Sequence, residues 1–167
     1  MLSFLHAPRA IRMFGALLGM LACLAQAPAV AADAGPYDEQ AQPANDLMQA
    51  MRQAREQQRR VLLVFGANWC TDCRKLDTEI KTGALATQLA RDFIVVKVDV
   101  GRFDHNLDFV NLYPKVIAKG IPSIAVVTAR NEIVHVAQGG ELADARRMST
   151  AQIAAYFADL AARTAGP

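Results

Sequence analysis

The chain has 167 residues, 53% hydrophobic and 20% charged, with a formal net charge of +2. Both excess cations lie near the N-terminus, as Arg9 and Arg12, so beyond residue 32 there are 16 basic against 16 acidic residues. That balance gives no reason to expect nucleic acid or an anionic membrane surface as a partner.

The first 32 residues have the layout of a secretory signal. Arg9 and Arg12 form a basic region with no acidic residue before Asp33, and an apolar run follows from Met13 to about Ala25. Small residues at Ala29, Ala31 and Ala32 supply an A-x-A-like cleavage site, placing cleavage after Ala31 or Ala32. The apolar run falls short of the roughly 20 residues that a spanning helix needs. Cys23 follows Met20-Leu21-Ala22, a partial match to a lipoprotein signal, so a membrane anchor is expected only if Cys23 is lipidated. Otherwise Cys23 leaves with the signal, and the product is expected in the periplasm or secreted.

Residues 33–44 contain Pro36 and Pro43 without apolar periodicity and read as a flexible lead-in. One domain is predicted over 45–163, a length that suits a single core. Asn45 or Asp46 can cap a helix running to about Arg60, with Leu47, Ala50, Met51 and Ala54 on one face. The basic cluster from Arg55 to Arg60 is placed in its last turn, as a solvated end complementing the helix dipole.

Val61–Phe65 follows as a strand apolar on both faces, hence central. It leads through Gly66 to Trp69-Cys70-Thr71-Asp72-Cys73, at what reads as a helix start. A buried strand ending in a Cys-x-x-Cys turn that opens a helix is a device for thiol–disulfide chemistry. A purely structural cross-link is the alternative, but closing so short a loop stabilises by only about 2 kcal/mol, against about 4.7 for a loop of about 100 residues. Cys70 would sit where unpaired helix N–H groups stabilise a thiolate. Cys73 lies on the same helical face, near enough to close a disulfide.

Leu76 and Ile80 mark the inner side of that helix, Gly83 interrupts it, and a short helix with Leu85 and Leu89 leads to the strand Phe93–Asp99. Strand, helix, strand in this order reads as a right-handed parallel crossover. A helix from about Asn106 ends by Tyr113, because Pro114 follows. Ile124–Thr128 and Ile133–Gln138 then form a hairpin around Ala129–Glu132, and Gly139-Gly140 breaks it. Ser149 and Gln152 have capping-box spacing for a last helix that buries Ile153, Tyr156, Phe157 and Leu160. His105 and His135 have no metal-ligand spacing to Cys70, so no metal site is expected.

This order, with Trp69-Cys70-Thr71-Asp72-Cys73 after the first strand and Gly120-Ile121-Pro122-Ser123 before the hairpin, resembles the thioredoxin superfamily over residues 45–163. Combined with the signal, Phe-Gly-Ala-Asn-Trp-Cys is similar to the exported thioredoxin-like proteins of bacteria. The resemblance implies an α/β fold, a central mixed sheet of about four strands with helices on both faces. It implies that Cys70 attacks and Cys73 resolves, as a catalytic pair that forms the redox-active disulfide. It implies too that Trp69 covers the disulfide, and that Ile121 and Pro122, at the family's cis-proline position, align a substrate strand.

The activity implied is mainly reduction of protein disulfides, with a thiol electron donor to reset the pair, no bound cofactor and a monomeric enzyme. An oxidase or isomerase, or a protein-binding module on the same fold, is the alternative. Two departures stand out. Thr71-Asp72 lies between the cysteines, and Asp72 opposes a negative Cys70 while favouring the helix, so Cys70 is expected to be only modestly acidic. Val64 stands where the family carries a buried aspartate, and the accompanying lysine's position is read as Val95, which leaves the base for Cys73 unassigned.

Overall fold

Arg60–Gly66 forms β1, the strand on which the sheet is built. The computed structural model of the chain describes residues 35–138 and 140–165. The signal-like residues 1–32 and Cys23 lie outside them.

β1 pairs in parallel with β2 (Phe93–Asp99) and antiparallel with β3 (Ser123–Val127), which pairs antiparallel with β4 (Ile133–Val136). The order β2-β1-β3-β4 makes a mixed four-stranded sheet with β1 and β3 inside. This explains the two uninterrupted apolar runs: a strand paired on both edges and covered on both faces has no solvent side to mark with polar residues. β4 lies at the edge, and its Ile133 and Val134 are exposed.

Two apolar clusters sandwich the sheet. One gathers Leu63 and Phe65 with Leu47, Ala50 and Ala54 of helix α1 (Pro43–Glu56) and with Phe109 and Tyr113. The other gathers Leu62 and Val64 with Leu76 and Ile80 of α2 (Thr71–Lys81), Leu85 and Leu89 of α3 (Gly83–Asp92), and Ile153, Phe157 and Leu160 of α5 (Thr150–Thr164). The split follows the strand period: alternate residues of β1 serve opposite faces. The expected α/β fold, a mixed sheet with helices on both faces, is the fold observed.

Several boundaries differ from expectation. α1 begins at Pro43 after Gln42 and makes no side-chain cap, so neither Asn45 nor Asp46 caps it. Proline suits the first helical position because its missing N–H has no partner there anyway. The helix ends at Glu56, since Gln58 takes a positive φ of 54° and turns the chain into β1. The basic cluster is therefore not one helix end. Arg59 donates to the carbonyls of Ala90 and Phe93 at the end of α3, and Arg60 opens β1. The helix expected from Asn106 is a single turn, α4 (Leu107–Val110), followed by turns through Pro114. The capping box at Ser149 and Gln152 is present as read.

The lead-in is also different. In the described part of 33–44, Tyr37 is only 3% exposed and belongs to the core. Its backbone N–H donates to Asn68 Oδ1 at 2.9 Å, and Asn68 Nδ2 donates back to the Tyr37 carbonyl at 2.8 Å. This segment is a strap pinned beside the redox turn. A single buried aromatic leaves no periodicity for a sequence reading to find.

Candidate functional site

Cys70 is the N-cap of α2, with extended backbone (φ −78°, ψ 114°), and Cys73 lies one turn in. Their Cα atoms are 5.2 Å apart and the sulfurs are joined as a disulfide. Cys73 N–H donates to Cys70 Sγ at 3.1 Å, so the first cysteine caps the helix with its sulfur. Cys70 is buried, at 5% exposure, and Cys73 is 0% exposed. The outer sulfur is the one a partner reaches first.

The Ile121–Pro122 peptide is cis. Its loop brings the Ile121 carbonyl to 3.6 Å from Cys70 Sγ, linking positions 51 residues apart. Trp69 is 46% exposed, with Nε1 donating to the Gly101 carbonyl at 2.7 Å. Phe103 meets it edge-on at 6.2 Å between ring centroids, and the Arg102 guanidinium lies 5.8 Å from its ring. The structure thus brings together Trp69, Cys70, Cys73, Ile121 and Pro122. It adds Arg102 and Phe103, which carried no motif and sit in a loop.

Asp72 is tied to Arg146. Its Oδ1 accepts from the Arg146 N–H at 2.8 Å and its Oδ2 from Arg146 Nη1 at 2.9 Å, while the same guanidinium reaches Thr71 Oγ1. The carboxylate is buried and paired, so its opposition to a Cys70 thiolate is offset by a cation that sequence reading missed.

Val64 is indeed buried among apolar neighbours, and Val95 is exposed. The lysine beside the site is Lys97, the register partner of Val64 on β2. Its ammonium pairs with Asp77 of α2 and lies 5.3 Å from the centre of the Tyr37 ring. Burial pushes Lys97 down to about 8. The carboxylate at position 64 is missing, but a lysine–carboxylate pair is not.

Tyr37 completes the inner side of the site. A Cβ on Gly66 would stand 2.2 Å from the Tyr37 hydroxyl and 3.0 Å from Cys73 Sγ. Hydroxyl and sulfur therefore share the space over one bare Cα, and only glycine fits there. Burial, and secondarily the Asp99 carboxylate, raise the Tyr37 phenol well above its ordinary value. Neither histidine bonds to either cysteine among the described residues. His105 Nδ1 is 2.7 Å from Asp99 Oδ2, and His135 lies in β4, where burial pushes it below its ordinary value.

Comparison with known proteins agrees with this geometry. Residues 42–129 match the family described as thioredoxin-like. A solved structure called disulphide isomerase from Xylella fastidiosa Temecula1 is 41% identical, with a TM-score of 0.75, covering 77% of this chain and 98% of that one. Among curated proteins nothing matches. With a redox-type cysteine pair at the helix start and a family match over half its length, the chain belongs to the thioredoxin-like family and is a thiol–disulfide oxidoreductase.

Proposed function

We propose that the protein acts mainly as a reductase of protein disulfides through Cys70 and Cys73. One observation carries the direction. Cys70 Sγ has one amide N–H within hydrogen-bonding reach and faces the Ile121 carbonyl, and among the described residues no charged side chain bonds to it. A strong oxidant depends on an unusually stabilised thiolate. One donor opposed by a carbonyl dipole gives only modest stabilisation.

In this reading the Cys70 thiolate attacks a substrate disulfide, forming a mixed disulfide and releasing one substrate thiolate. Cys73 then attacks Cys70 Sγ, and the second substrate sulfur leaves as a thiolate that takes a proton from water. Two electrons pass to the substrate, and an external dithiol donor reduces the Cys70–Cys73 disulfide again. Trp69, Ile121 and Pro122 form the substrate-facing rim. The signal-like residues 1–32 support export to an oxidising compartment, and N-terminal sequencing of the mature protein tests that.

Turnover of insulin reduction with a dithiol donor is the direct test, with Cys70→Ser expected to abolish it. Absence of turnover in the wild type would favour a binding module instead. Isomerase activity is the second reading, favoured by the solved relative called disulphide isomerase. Isomerisation needs only the attacking thiol, so Cys73→Ser separates the two. A reductase loses turnover and accumulates substrates attached to Cys70, whereas an isomerase still refolds scrambled ribonuclease.

A further inference from the structure

Cys73 presents a problem that the cysteine pair alone does not solve. The resolving step needs a thiolate at Cys73, yet this sulfur is 0% exposed. A buried thiolate without a donor is disfavoured. The Cys73 N–H is already committed to Cys70 Sγ.

We propose that the Tyr37 hydroxyl is the hydrogen-bond donor that stabilises the Cys73 thiolate in the reduced enzyme, making Tyr37 a positioning residue for the resolving step. The phenol is placed for it. Gly66 leaves open a volume that Tyr37 Oη and Cys73 Sγ both border, and the Asn68 side chain grips the Tyr37 backbone on both its N–H and its carbonyl. The phenol is held in its protonated form, so it donates and keeps its proton throughout. The charges around this pair come from two elements. Asp77 lies one helical turn beyond Cys73 on α2, and Lys97 and Asp99 come from β2, with Lys97 paired to Asp77 and Asp99 to His105. Asp77 and Lys97 offset each other, which leaves the phenol as the local donor.

The step balances without Tyr37 giving up a proton. Cys73 Sγ forms the bond to Cys70 Sγ, the bond from Cys70 to the substrate sulfur breaks, and the departing thiolate is protonated by solvent. The inference rests on the thiol–disulfide reading but not on its direction.

Reaction of the reduced enzyme with an aromatic disulfide that releases thionitrobenzoate tests it in two stopped-flow phases. The first phase reports attack by Cys70 and the second reports resolution by Cys73. Tyr37→Phe is expected to slow the second phase about tenfold and to move its pH midpoint up by about one pH unit. Replacing Tyr37 with 3-fluorotyrosine, a more acidic phenol, is expected to move the midpoint down, a change that a merely structural role would not produce. A second phase with unchanged rate and midpoint in both variants would overturn the proposal. So would a fluorotyrosine shift in the upward direction, whether or not Tyr37→Phe folds. Loss of the first phase in the wild type would instead count against the thiol–disulfide reading itself.

Discussion

Asp72 and Arg146 show how residue chemistry depends on a partner 74 positions away. From sequence, Asp72 is a charge in the first turn of α2 that repels a Cys70 thiolate. In the fold it accepts both a backbone N–H and a guanidinium N–H from Arg146, so helix, carboxylate and cation form one unit. Hydrogen bonds to charged groups contribute more than neutral ones, and Asp72→Ala is expected to cost about 1.5–3 kcal/mol. Urea unfolding, with a shifted midpoint at constant slope, checks it. Arg146→Gln leaves the carboxylate without its cation, so the Cys70 thiolate loses that offset. Its pKa should rise, by less than about one pH unit because the guanidinium is half exposed, as thiolate absorbance would record. The cysteines, Trp69 and Pro122 were legible because they belong to short local motifs. Tyr37, Asn68 and Arg146 were not, because each acts across a long sequence separation.

At the scale of elements, the strap and the last helix make opposite cases. The Ser149–Gln152 box is a local pattern and was read directly, and Ser149→Ala should cost about 1 kcal/mol in thermal or urea unfolding. The strap at 35–42 carries no such pattern. Asn68 fastens it by two bonds to the Tyr37 backbone and one to Glu39. Asn68→Ala removes all three, at a cost of about 1–3 kcal/mol, and should speed amide hydrogen exchange at Tyr37 ahead of global unfolding. Exchange at Tyr37 as slow as in the sheet would contradict this. Lys97 belongs here too. The register of β1 and β2 sets Lys97 opposite Val64. Register is a pairing property, and a strand read alone does not contain it.

Over the whole molecule, the central place of β1 was legible because its uninterrupted apolar run leaves no side for solvent. The polar groups threaded into that core were less so, and they set the alkaline limit of stability. Burial raises the phenols of Tyr37, Tyr113 and Tyr156, Tyr113 to about 12. Between pH 10 and 12 the unfolded chain loses phenolic protons that the folded chain retains, so stability falls as pH rises. Below pH 10 that stability is fully present. Lys97, lowered to about 8, works the other way between pH 8 and 10.5, but it is one group against three. Absorbance titration should therefore show the tyrosines ionising together with loss of fold, rather than near pH 10 in a folded protein.

If the Cys70–Cys73 pair donates electrons to protein disulfides, its equilibrium with a graded thiol–disulfide buffer must show a reducing potential. With one amide donor and a facing carbonyl at Cys70, the pair is expected between about −270 and −200 mV, in the range of thioredoxin and glutaredoxins. A potential of about −120 mV, that of a strong oxidant, would rule out a reductase.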